Sequence, residues 1–289
     1  METNNRERLL MDYINKMPSL PTTVTKILEI CNNPTTSPAD LNKVISLDPV
    51  LMGKVMRLIN SAYYGLSQEI TSLVRAIIML GINTVKNLAL STAVLGAMGK
   101  KGEFQTLNME GFWRHSLCVG VTSKLIAKRR KIDPKQLEEY FIAGLLHDIG
   151  KIPLNNRLAE DFIIAMSSSD MDHLPLYVSE KNIMGFDHAD VGKMILVNWK
   201  LSENIVEAVS YHHSYETYDG KFKDLTYTVA MANYFAGLAE IGFSGDRYPE
   251  KIGPEVFQHL NITMDYLDEI EDEVNQEIEK ASIFLRLAK

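Results

Sequence analysis

Phe141-Ile142-Ala143-Gly144-Leu145-Leu146-His147-Asp148-Ile149-Gly150-Lys151 is the stretch on which the reading of this chain turns. It closes a helix predicted over residues 134–148, and it closes it on an imidazole followed directly by a carboxylate. A hard oxygen beside a borderline nitrogen at a helix end suits iron, manganese or zinc. An aspartate able to bridge, together with several histidine nitrogens, would hold one or two ions and lower the pKa of bound water. Lys151, a turn beyond Asp148, could offer positive charge to a phosphate oxygen.

Outward from this stretch the periodicity is helical nearly everywhere. Leu51, Val55, Leu58 and Ile59 recur on one face of a segment that opens Asp48-Pro49, a capping acid followed by a proline where no donor is needed. Ser37-Pro38-Ala39-Asp40 opens the preceding helix in the same way. Apolar helices follow at 72–80 and 83–98, broken at Gly81, and Lys100-Lys101-Gly102-Glu103 reads as a polar linker. Beyond it, helices are predicted at about 112–131, 134–148, 157–166, 176–183, 188–199, 202–213 and 224–239. A last amphipathic helix over 255–287 carries Tyr266, Ile270, Val274 and Ile278 at four-residue steps. No strand period persists, so the expected fold is all-α, in two helical lobes spanning 1–104 and 105–289.

Composition narrows the function classes. With 46% hydrophobic and 23% charged residues, the 289-residue chain has ordinary globular values. Its net charge of −7 offers no attractive field to nucleic acid or anionic lipid. Residues 1–100 carry 10 Lys+Arg against 7 Asp+Glu and the remainder 20 against 30, an asymmetry that reads as solvated surface. Cys31 and Cys118 show no CxxC spacing and are expected reduced. The polar start lacks a signal-peptide core, and Arg75, Asn83, Lys86 and Asn87 interrupt the longest apolar region, 73–98. A cytoplasmic location without membrane contact is expected.

Seven histidines stand at 115, 147, 173, 188, 212, 213 and 259. Taken singly each has a plain structural reading. His173 and His259 look like surface or packing residues, and His212-His213 could favour a helix C-terminus through its dipole. Asn60-Ser61 and Tyr63-Tyr64-Gly65 read as a helix stop and a turn held by buried rings.

The wording around the histidines carries more. Residues 141–151 are similar to the signature of the HD superfamily of metal-dependent phosphohydrolases, and Phe112-Trp113-Arg114-His115-Ser116 resembles its first ligand histidine. Gly185-Phe186-Asp187-His188-Ala189-Asp190-Val191-Gly192 and Val209-Ser210-Tyr211-His212-His213 resemble the added histidines of the HD-GYP branch, which cleaves cyclic di-GMP at a multinuclear metal centre. In the first half, Met17-Pro18-Ser19-Leu20-Pro21, Ile45-Ser46-Leu47-Asp48-Pro49-Val50-Leu51, residues 58–65 and residues 70–81 look like HDOD domains, which are bacterial signalling and regulatory modules.

The resemblance implies a second lobe built as an HD-type helical bundle, with His115, His147, Asp148, His188, His212 and His213 as metal ligands and Lys151 near phosphate. It implies a divalent cofactor, iron or manganese with zinc as a third option, in one or two copies. Two departures bear on activity. The superfamily's late aspartate ligand is matched here by Asn233, and the Gly-Tyr-Pro turn after the paired histidines is absent from residues 214–223. The expected function is therefore signal transduction, through other signalling proteins or a nucleotide or other small phosphorylated ligand, with no nucleic acid or membrane partner. The alternative is a metal-dependent phosphohydrolase acting on a nucleotide or phosphodiester. Either way, the first lobe is expected to share an apolar interface with the second.

Overall fold

In the computed structural model, residues 3–16, 20–98 and 106–288 are described, and among them no strand occurs. The expected linker at 100–103 and Met17-Pro18-Ser19 lie outside the described residues. The helices before residue 99, called the first lobe for reference, are α1 (Thr3–Lys16), α2 (Thr22–Cys31), α3 (Pro38–Ile45), α4 (Pro49–Ile59), α5 (Leu73–Leu80) and α6 (Ile82–Met98). The predicted starts hold. Ser37 and Asp40 form a reciprocal capping box on α3, and Asp48 Oδ1 accepts from the amides of Val50 and Leu51 at the head of α4. Gly81 adopts φ 91° between α5 and α6, which lets the two apolar helices fold over at 116°. Among the described residues no single helix is long and apolar enough to cross a membrane, and this bent pair alone passes that test, by length and composition.

The second lobe follows with α7 (Met109–Arg129), α8 (Leu137–Leu146), α9 (Lys151–Arg157), α10 (Ala159–Asp172), α11 (Leu176–Met184), α12 (His188–Asn198), α13 (Glu203–Tyr211), α14 (Lys223–Leu238), α15 (Pro254–Leu260) and α16 (Met264–Ala288). Two segments differ from expectation. The helix expected over 157–166 is α10, and an unexpected short helix, α9, precedes it; the two are separate because Leu158 leaves helical geometry (ψ 38°), and α9 carries Pro153 in its first turn, where a missing amide is tolerated. The last amphipathic stretch is broken at Asn261, which takes a left-handed φ of 51° and ends α15. Tyr266, Ile270, Val274 and Ile278 are all buried, as their spacing predicted.

Every residue of α8 from Tyr140 to Leu146 is buried, the mark of a helix surrounded on all sides. α6, α7, α13 and α14 sheathe it. The lobes interlock at their ends. α1 lies on α9 and α12 of the second lobe, fastened by a bidentate ion pair from Arg6 to Asp161 at 2.7 and 2.9 Å. α16 crosses the other way, onto α4 and α6 of the first lobe as well as α7. There Tyr63 packs edge-on to Phe284 (5.2 Å) and against Phe141 (5.6 Å), while its hydroxyl accepts from Lys124 Nζ at 2.8 Å. Lys124 also pairs with the buried Glu138, so the charge it brings into this seam is matched. Asn60 clips the loop before α5 by exchanging two 2.8 Å hydrogen bonds with the backbone of Ile70, a structural role consistent with its reading as a helix stop.

Candidate metal centre

Two backbone crossings bring the histidines together. α7 and α8 touch at Gly120 and Gly144, where a methyl group on either would strike the other helix's backbone; this sets His115 on α7 beside His147 at the end of α8. At Gly150, just after Asp148, a side chain would run into the carbonyl of His188 and the amide of Gly192. That contact draws the head of α12, and with it His188, against Asp148. Both helix ends that face the site close alike. His147 and His212 are the C-cap residues of α8 and α13, and each donates Nδ1–H to a carbonyl three residues back, Gly144 O at 2.8 Å and Val209 O at 2.7 Å. The free carbonyl of each last turn is thus satisfied, and each Nε2 lone pair is turned toward Asp148.

Asp148, 1% exposed, lies at the middle. Its Oδ2 is 3.3 Å from His147 Nε2 and 3.7 Å from His115 Nε2, and its Oδ1 is 3.1 Å from His188 Nε2 and 4.0 Å from His212 Nε2. His188 and His213 meet at Nε2, 3.1 Å apart, and Tyr177 stacks on the His213 ring at 4.4 Å. Lys151, 2% exposed, ties Nζ to Asp148 Oδ2 at 2.8 Å and to Ser244 Oγ at 3.2 Å. Asn233 lies within the site, its Oδ1 3.0 Å from His115 Nε2. The structure therefore brings together all six sequence-predicted ligands and Lys151. His173 and His259 stay outside: His173 is the left-handed C-cap of α10, and His259 bonds Asp224 at 2.9 Å.

The charges are arranged around one carboxylate. Burial opposes ionisation of Asp148, but His147, Lys151 and His188 together hold its carboxyl well below the usual range. Burial pushes His115 down to about 3, against the pull of Asp148. His212 and His213 are driven well below the ordinary imidazole value, by burial first and then by neighbouring imidazoles. His188 is the exception. Burial is outweighed by Glu180 and Asp148, which raise it to about 9.

Sequence reasoning missed Glu180 and Ser244. Glu180 Oε2 accepts from both Nδ1 (2.6 Å) and the backbone amide (2.9 Å) of His188, so it fixes that ring's orientation as outer-shell carboxylates do for metal-bound histidines. A signal was present: Leu176, Glu180 and Met184 share one helical face, and an acid between two apolar residues on such a face calls for a buried partner. Ser244 has no such signature. It arrives on the loop after α14, which is pinned where Phe243 N donates to Gly111 O at 2.9 Å and which walls a 400 Å³ cavity beside His115.

The donor set fits a divalent cation. His147 Nε2, His212 Nε2 and Asp148 Oδ1 are buried without hydrogen-bond partners, and each such atom left unsatisfied costs about 1–3 kcal/mol. Two groups of three ligand atoms lie within mutual reach, His115/His147/Asp148 and His188/His212/His213.

A helical fold with histidines and an aspartate drawn from α7, α8, α12 and α13 around one site is of the HD type. The chain belongs to the HDOD domain family, whose match covers residues 17–215. An uncharacterized protein of Treponema pallidum (strain Nichols) is 25% identical over 232 residues, covering 80% of this chain and 44% of that protein, so the chain spans less than half of that relative's length. Two solved structures share the fold. One is an HDOD domain protein of Geobacter sulfurreducens (24% identity, TM-score 0.73, 98% of each chain covered). The other is a proposed phosphohydrolase of Shewanella amazonensis SB2B (22% identity, TM-score 0.70, 97% of this chain and 98% of that one).

Proposed function

We propose that this chain is a signal-transduction module that keeps a metal-binding HD cavity and works by binding, through a partner protein or a small phosphorylated ligand, in preference to turnover. Membership of the HDOD family and the donor set around Asp148 support the metal and the regulatory class. The observation that carries the emphasis on binding is Asn233. It stands where an acid would complete the ligand set, and its neutral amide is spent on His115. His115, His147, Asp148, His188, His212 and His213 supply the donors from which one or two cations would be held, and Glu180 and Tyr177 would orient His188 and His213. When bound, such a cation supplies a Lewis acid for a phosphate oxygen. Lys151 would meet that phosphate only by exchanging its contacts with Asp148 or Ser244. A cytoplasmic setting goes with this reading.

A hydrolase reading is favoured by one feature, the buried ammonium of Lys151 next to the cavity lined by His115, Ser244 and Arg247. Protein purified without chelator separates the two. Bound divalent metal with cyclic di-GMP hydrolysis at the blank level is the expected result. Multiple turnover of cyclic di-GMP that disappears in Asp148→Ala would establish the hydrolase instead.

A further inference from the structure

Distances alone treat the two sides of Asp148 alike. Ligand atoms about 2.0–2.1 Å from a tetrahedral ion stand about 3.3 Å apart, and both the 3.1 Å approach of His188 and the 3.3 Å approach of His147 fit that edge. What separates the sides is which atoms are already in use. On the α7–α8 side, His115 Nε2 is engaged by the Asn233 side chain, and in either orientation of the amide that nitrogen is occupied. Asp148 Oδ2 is taken by the Lys151 ammonium, itself seated on Ser244. Only His147 Nε2 is free there. On the α12–α13 side the donors meet only one another: His212 Nε2 has no hydrogen bond, Asp148 Oδ1 is approached by His188 Nε2 at 3.1 Å, and His188 and His213 face each other through their Nε2 atoms, so no outside group occupies the set.

The fixed charges are polarised in the same sense. Glu180 backs His188, and Glu250 Oε2 lies 3.8 Å from His213 Nδ1, so two acids stand behind the α12–α13 donors. The other side has the Lys151 cation and a neutral amide. Of the two acids on the cavity wall by His115, Asp246 gives both oxygens to the backbone amides of Leu176 and Tyr248, and Glu240 is exposed to solvent. A divalent ion on Oδ2 would sit beside an ammonium in a site 1–2% exposed, where charge repulsion is weakly screened.

We infer that this centre is mononuclear: one divalent ion on the α12–α13 side, held by Asp148 Oδ1, His188, His212 and His213, with the Lys151 ammonium and the Asn233 amide filling the place of a second ion. The inference rests on the metal-binding reading above and goes past it in count and position. It is tested with the full chain, stripped and then dialysed against Mn²⁺ or Co²⁺, by elemental analysis and the Co²⁺ absorption spectrum, with far-UV circular dichroism to show that each variant is folded. One equivalent is expected. His213→Ala should lose at least the ~10–100-fold in affinity that removal of an outer-shell partner costs, and His115→Ala should lose far less. Asn233→Asp, which supplies the acid and frees His115, should take up a second equivalent. Two equivalents in the unmodified chain, or greater loss in His115→Ala than in His213→Ala, overturns the inference while leaving a metal protein. No uptake at all overturns the metal-binding reading itself.

Discussion

The interior of α2–α5 and the interior around Asp148 are equally closed to water and are built on opposite rules. Every buried side chain of α2–α5 is apolar, and their polar groups appear at the rims as caps. Around Asp148, five histidines, a lysine and Glu180 are all at most 8% exposed. An apolar interior needs volume and shape and tolerates partial error. A polar interior needs a partner for every atom, so its unpartnered atoms are informative: three of them converge here. The first region holds the lobe together, and the second gathers donor atoms suited to a cation.

The sharpest way to break this comparison is to damage each kind of interior and read both stability and metal response. Phe284→Ala empties the socket between Tyr63 and Phe141 and should remove about 3–5 kcal/mol of unfolding free energy in urea titrations. It should leave the metal response alone. In the unmodified chain, a cation at about 100 times its dissociation constant should add about 2.7 kcal/mol. Asp148→Asn should abolish that increment. If Phe284→Ala removes the increment and Asp148→Asn keeps it, the division between a holding and a receiving interior is wrong.

Smaller effects probe the rims. Ser37→Ala breaks the α3 capping box and should lower stability by about 1 kcal/mol, with metal uptake unchanged. Asp224 links α14 to Arg130, Tyr140 and His259; burial raises its pKa, but these partners outweigh it and hold it low. A depressed folded value means that the contribution is fully present above the unfolded value of about 3.9 and fades as pH falls through the folded one. Because Asp224 is about a third exposed, the effect should stay under about 1 kcal/mol. Asp224→Asn should lower stability slightly at neutral pH and flatten its acid limb below about pH 4; a steeper acid limb would contradict the assignment.

Much of the fold was legible because it rests on local chemistry. Asp48-Pro49, Ser37 with Asp40, Gly81 and the Tyr266–Ile278 series each act within one or two turns, and each is where its residues predict. The clustering of the candidate ligand histidines was legible through wording that resembles a family, since nothing in the spacing of 115, 147, 188 and 212 marks them as neighbours. That neighbourhood is made by the Gly120–Gly144 and Gly150–Gly192 contacts, which are tertiary. The break at Asn261 was missed because a single residue in a rare backbone state leaves the apolar period on either side intact, and α9 was missed because seven residues are too few to show a period. Ser244 was out of reach for a similar reason: a loop has no period to read.

The crossed docking of the first and last helices has a consequence for how the chain is made. Arg6 finds Asp161 only after 155 further residues, and the ring of Tyr63 meets Phe284 later still. During vectorial synthesis, at about 5–20 residues per second, the first lobe must wait with an open aromatic socket until α16 leaves the ribosome. Contacts so distant in sequence slow the closing step. The nascent first lobe is therefore the form of this protein most in need of a chaperone, and the moment α16 seats is the moment that need ends.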